Sequence, residues 1–191
     1  MFEIPIGFLN TQWFETHGDR KNPLEDLDWV KWFVHKMTDR KLADGEPPMG
    51  FAALSAEFVA FRGELIRLIS YIESGTFSEV EAIALLNRYL VKTDGHRYIE
   101  FDGTSSPTPT IRFEPAFVDG PYVLSELALL WFMLLFEKDR TRIKICEDPD
   151  CLCYFYDESK NKSKRHCHIN CSNRMKVRRH RKKKHIFEDQ S

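Results

Sequence analysis

Apolar residues first recur at helical spacing from Pro23 onward, where Leu24, Leu27, Val30, Phe33 or Val34, and Met37 lie three or four positions apart. That period places them on one face of an amphipathic helix. A polar stretch, Asp44-Gly-Glu-Pro-Pro-Met-Gly50, reads as a loop, and the period then returns in Phe58, Phe61, Leu65, Leu68 and Ile72 until Gly75 stops it. Ser78 and Glu81 precede Ile83, Leu86 and Leu90. The serine can accept from the third helical N–H while the glutamate reaches back to the cap, a capping box that predicts a third helix.

Between Arg97 and Phe117 the pattern shortens to strand-like runs. Tyr98-Ile-Glu-Phe101 and Thr110-Ile-Arg-Phe113 flank the turn-rich Gly103-Thr-Ser-Ser-Pro-Thr-Pro109 and predict a hairpin. Val123 to Phe136 is then apolar except at Ser125 and Glu126. This run is shorter than the roughly 18 residues a membrane span takes, so it predicts a helix buried in the core or at a dimer contact. Glu137-Lys-Asp-Arg-Thr-Arg142 marks the expected boundary after it.

Composition divides the chain at the same place. With 191 residues, 42% hydrophobic and 13% aromatic, the chain can bury one core and leave about 45 residues for an appendage. Residues 1–140 carry 14 Lys+Arg against 22 Asp+Glu, and residues 141–191 carry 14 against 7. The net charges of -8 and +7 imply two different jobs. The amino terminus has no basic segment followed by an apolar one and a cleavage site, so the expected compartment is the cytoplasm, with no membrane partner.

All five cysteines lie at or after Cys146, which excludes a disulfide framework spread through the fold. Four of them form C-x4-C-x15-C-x3-C: Cys146 and Cys151, then Cys167 and Cys171. Two short pairs around a hairpin-sized insert suit tetrahedral thiolate coordination of one structural Zn²⁺. Glu147-Asp-Pro-Asp150 supplies the turn within the first pair, and the second pair is one helical turn apart. Cys153, His166 and His168 are competing ligands, with Cys153 only two residues from Cys151 and read as a spare buried thiol. Tyr154-Phe-Tyr156 and Lys164-Arg-His166 are expected to pair as a hairpin around Asp157–Asn161, giving a treble-clef-like arrangement. Iron is the alternative metal for four thiolates.

The chain continues from Asn170 as an expected basic helix to His185, with Arg174, Arg178, Arg181 and His185 at helical spacing. Its positive charge suits a polyanion. Asn173 and Arg174 are the candidates for base-edge hydrogen bonds, and Lys176, Arg178, Arg179, Arg181 and Lys182 for phosphates. DNA is the leading partner, and RNA would attract the same charges. No HExxH, Gly-rich phosphate loop or G-x-S-x-G elbow is present, and Glu15 with His17 is the only acid–base pair that suggests itself, so the expectation is a non-enzyme.

Cys146-Glu-Asp-Pro-Asp-Cys151, Phe155-Tyr-Asp-Glu-Ser159, Arg165-His-Cys167 and Cys171-Ser-Asn-Arg-Met-Lys-Val-Arg-Arg-His-Arg181 together resemble the CGNR zinc-finger family of bacteria. Ser172 stands where the name motif has glycine, and the last pair is separated by three residues where many members have four. The resemblance implies zinc on Cys146, Cys151, Cys167 and Cys171 and a DNA-binding finger. Phe8-Leu-Asn-Thr11, the Leu24 to Met37 helix, Leu86-Asn-Arg88 and the apolar helix before the finger are similar to the ABATE domain often joined to it. That likeness implies a stress-induced transcription regulator with a small-molecule effector site, for which Asn10 and Thr11 are the candidate ligand residues. On residue type alone these two suit a cap or turn. Trp13, Trp29, Trp32 and Trp131 suit either a cavity wall or the core.

The resulting expectation is an α+β chain. It has a mainly helical N-terminal domain with a small hairpin over 1–140, a treble-clef-like zinc finger ending in a basic helix over 141–187, and a tail over 188–191. A homodimer would fit the apolar helix.

Overall fold

The computed structural model describes residues 2–13, 22–38, 40, 51–90, 93–100, 110–116 and 118–188. The expected loops at 44–50 and 103–109, the Glu15–His17 pair and residues 189–191 lie outside them. The chain divides into two compact units, one made of Met1–Asn22 with Asp139–Ser191 and the other of Pro23–Lys138. The first 22 residues therefore belong with the cysteine-bearing segment, although the sequence pattern groups them with the helices.

Within Pro23–Lys138 the periodic segments form the expected helices. A 3-10 turn, Pro23–Glu25, leads into α2, Leu27–Thr38, which buries Val30, Phe33 and Val34. Helix α3, Phe51–Ser74, buries Leu54, Phe58, Phe61, Leu65, Leu68 and Ile69 along one stripe. Gly75 adopts φ +73, its N–H reaching Ile72 O at 3.2 Å while Thr76 N–H reaches Tyr71 O at 2.9 Å. These two bonds close a Schellman cap, which needs the left-handed conformation that glycine reaches without a Cβ penalty. Helix α4, Glu79–Leu90, starts where Glu81 N–H donates to Ser78 Oγ at 3.3 Å. Glu64 on α3 accepts from Arg88 Nη2 at 2.6 Å and from Tyr89 Oη at 3.0 Å, tying α3 to α4 beside the packed Phe61 and Tyr89 rings.

Strands β1, Gly95–Glu100, and β2, Thr110–Pro115, pair antiparallel with Ile99 opposite Ile111. A Cβ on Gly95 would sit 2.4 Å from Glu114 O, so glycine is required there by close backbone approach. Arg40, just beyond α2, holds Glu114 through two hydrogen bonds of 2.7 and 2.6 Å.

Helix α5, Gly120–Phe132, is capped by Asp119, whose carboxylate accepts from Tyr122 N–H at 2.9 Å, and Pro121 occupies its first turn. A π-turn, Met133–Glu137, completes the apolar run. The continuous segment Gly120–Glu137 has 18 residues and is apolar enough to cross a membrane by length and composition, yet 56% of it is buried inside the protein. Val123, Leu124, Leu127, Ala128 and Trp131 are all fully buried, which is the pattern of a core helix.

In the other unit an unexpected helix, α1, spans Glu3–Asn10 and buries Pro5, Ile6, Phe8 and Leu9. A 3-10 turn, Arg140–Arg142, leads into β3, Ile143–Ile145, which pairs antiparallel with β4, Tyr154–Tyr156. The long helix α6, Ile169–Glu188, follows.

Candidate metal centre and basic helix

Strands β3 and β4 are the two sides of a hairpin whose tip is the loop Cys146–Cys153. Cys146 N–H closes this loop onto Cys153 O at 2.8 Å, and Cys151 and Leu152 N–H both return to Asp148 O at 2.8 and 3.2 Å. The Asp148 side chain accepts from Asp150 N–H at 3.1 Å. Together they form the tight turn that Pro149 and the two aspartates allow. Leu152 completes it at φ 53, a conformation uncommon for a residue with a side chain.

The expected hairpin between Tyr154–Tyr156 and Lys164–His166 is not formed. Strand β4 pairs with β3 instead, with Lys144 opposite Phe155. The reason lies in Asp157, a fully buried carboxylate. It accepts from Ser159 N–H at 2.9 Å, Lys164 N–H at 3.0 Å and Lys144 Nζ at 2.6 Å. The segment after β4 folds around this carboxylate, so its amides are not free to extend a ladder. Burial alone would raise the Asp157 pKa, but the Lys144 ammonium and the Ser159 and Lys164 donors outweigh it and hold the group well below the usual carboxylate range.

This folding brings the second cysteine pair onto the knuckle. The sulfurs of Cys146, Cys151, Cys167 and Cys171 all lie within 4.8 Å of one another. Cys151 and Cys167 Sγ are 3.5 Å apart, and Cys167 and Cys171 Sγ are 3.7 Å apart. Zn–S bonds of about 2.3 Å in a tetrahedron require S···S edges of about 3.8 Å, so the donor set fits one zinc ion. These edges are far longer than a disulfide of about 2.05 Å, and all five cysteines are free. The sequence-predicted quartet is thus the one brought together. Cys153 packs against the cluster without belonging to the candidate ligand group, and burial beside Cys151 pushes its thiol up to about 12.

The aspartates of the knuckle also grip α6. Asp148 is fully buried and receives Arg174 Nε at 2.7 Å and Arg174 Nη2 at 2.6 Å. The same guanidinium donates to Cys171 Sγ at 3.3 Å. Burial opposes ionisation of Asp148, but the Asp150 N–H and Arg174 prevail and lower its pKa. One turn later Arg178 pairs with Asp150 and stands 3.9 Å from Asp148. Arg174 and Arg178 therefore face the knuckle as ion-pair partners although still partly exposed, and Asn173, Lys176, Arg179, Arg181 and Lys182 are exposed along the helix. The sequence pattern did not reveal this division, because a run of arginines looks the same whether or not acids twenty-odd residues earlier claim two of them.

Helix α1 completes the unit. Asn10 Nδ2 donates to Tyr154 O at 3.0 Å and Tyr154 N–H donates to Asn10 Oδ1 at 2.7 Å, so the carboxamide continues the ladder of β4. Thr11 Oγ1 donates to Phe8 O at 2.7 Å. Phe2 stacks on Tyr156 with centroids 4.0 Å apart. Asn10 and Trp13 also line a hollow of about 230 Å³ with Leu152 and Tyr154. The other three tryptophans lie elsewhere: Trp29 stacks on Phe33 along α2, Trp32 is 56% exposed and Trp131 is fully buried.

Comparison with curated proteins finds no match for the chain. A family model does match: residues 142–184, which hold the four clustered thiols and most of α6, match the CGNR zinc finger.

Proposed function

We propose that the chain is a zinc-dependent DNA-binding protein that regulates transcription, with Pro23–Lys138 as the unit that responds to an effector. The observation that carries this reading is the way α6 leaves the metal site. Cys171, Arg174 and Arg178 fix its first turns to the knuckle, and Lys176, Arg179, Arg181 and Lys182 are exposed along it. A helix of 20 residues is about 30 Å long and about 10–12 Å across, a fit to the major groove of B-DNA. A rigid base would set its angle of entry.

Fluorescence anisotropy on a labelled duplex tests the proposal. Four exposed cations correspond to a log–log salt slope of about -3 to -4, at about -0.9 per phosphate neutralised. Binding is expected to disappear when the metal is chelated. A complex indifferent to salt or chelator would contradict the reading, and structured RNA that outcompetes the duplex would move the partner to RNA.

A further inference from the structure

Between the segment before α6 and the flank of α6 lies an open groove of about 680 Å³, lined by Lys164, Arg165, His166, His168, Ser172 and Arg179 among others. We infer that this groove seats a backbone phosphate of the bound nucleic acid, with Arg179 and Lys164 as its cationic contacts. The inference rests on the nucleic-acid reading and assigns the contact to a face of α6 other than the arginine row suggested by the sequence.

The helical period gives the geometry. At about 100° per residue, Ser172, Lys176 and Arg179 fall within about 60° of one another, while Arg174 and Arg178 point to the opposite side. The latter two are held by Asp148 and Asp150. A phosphate therefore meets its cations on the Ser172–Arg179 face, and the loop adds Lys164, whose ammonium lies 5.4 Å from the Phe155 ring centroid. Arg165 is not counted, because it is paired with Glu147 through Nε at 2.7 Å to each carboxylate oxygen. That pair puts one negative charge near the groove and withholds one positive charge from it.

One more feature favours an anion. The N-terminus of α6 opens here, since Ile169 and Ser172 line the groove, and a helix N-terminus carries partial positive charge. His168 occupies two of its first amides, accepting Asn170 N–H at Nδ1 and Ser172 N–H at its carbonyl, so the helix contributes field more than free donors.

The test uses full-length zinc-loaded protein with two probes, a DNA duplex across a salt series and inorganic phosphate. Arg179→Gln is expected to flatten the salt slope by about 0.9, and Lys164→Gln to do the same. Glu147→Gln is expected to tighten duplex binding and steepen the slope by up to about 0.9, because it releases Arg165. Arg67→Gln, an exposed change on α3, leaves both unchanged. Inorganic phosphate should move the backbone amide resonances of residues 168–172, and Arg179→Gln should suppress those shifts. The groove is overturned if phosphate leaves these amides unmoved, or if Arg179→Gln and Lys164→Gln both keep the wild-type slope. If wild-type protein fails to bind the duplex but phosphate still moves residues 168–172, the nucleic-acid reading falls and the anion groove stands.

Discussion

Removing the metal with excess chelator is expected to unfold residues 139–188 and to leave the helices of residues 23–138 in place. The buried cluster of the finger consists of Cys146, Cys151, Phe155 and Cys171, with Cys153 and Cys167 packed against it. Phe155 is the only large apolar side chain in that cluster and Ile143 is also buried among the described residues of 139–188, and burying each such group contributes about 1.5–3 kcal/mol. A structural zinc contributes about 10–16 kcal/mol in finger peptides, so the metal is expected to dominate the folding of residues 139–188. The helices of the other unit draw on their own buried residues, including Phe58, Phe61, Leu65, Leu124 and Leu127. Amide resonances of 143–182 should collapse on chelation, and Cys151→Ser should give the same spectrum without chelator. Retention of dispersed finger resonances in the metal-free protein would show that packing alone suffices.

The second large effect is expected at Asp148. Asp148→Asn keeps the shape and the turn acceptor for Asp150 N–H but removes the charge that holds Arg174. Arg174 also donates to Cys171 Sγ, so the carboxylate orients a donor that offsets thiolate charge. Groups that orient metal ligands in this way typically change metal affinity about 10–100-fold, and Asp148→Asn should weaken zinc by that factor in a chelator competition. Arg174→Gln should weaken it similarly. The double variant should lose less than the two changes added, because both act on one contact.

The sign with pH follows from the lowered pKa of Asp148. Its contribution is complete above the ordinary carboxylate value of about 3.9 and is lost only as pH falls through the depressed folded value. The Asp148→Asn deficit should therefore be constant through the neutral range. A deficit confined to acid pH, or none at all, would remove Asp148 from the metal site.

Much of this was legible in the sequence because the determinants are local. The stripe from Phe58 to Ile72, the Ser78 cap and Gly75 act within a few residues of where they sit, and α3 ends and α4 begins where they indicate. The cysteine spacing named the four sulfurs that converge. What it could not show depends on partners distant in the chain. Helix α1 is not legible in the pattern because Pro5 and Gly7 look like breakers, although proline in a first turn costs no hydrogen bond. Its Asn10 meets Tyr154 across 144 positions. The strand pairing differs from the expected one because the Tyr154–Tyr156 run fits either neighbour, and the buried Asp157 around which the next segment folds is unremarkable as a letter. Arg174 and Arg178 likewise differ from Arg179 only through Asp148 and Asp150.

Zinc K-edge absorption on natively purified full-length protein tests the central claim most directly, namely that four thiolates hold the metal that organises α6. One zinc per chain with four sulfur scatterers at about 2.3 Å is the predicted result. A shell with fewer sulfurs, or no stoichiometric metal, would contradict it.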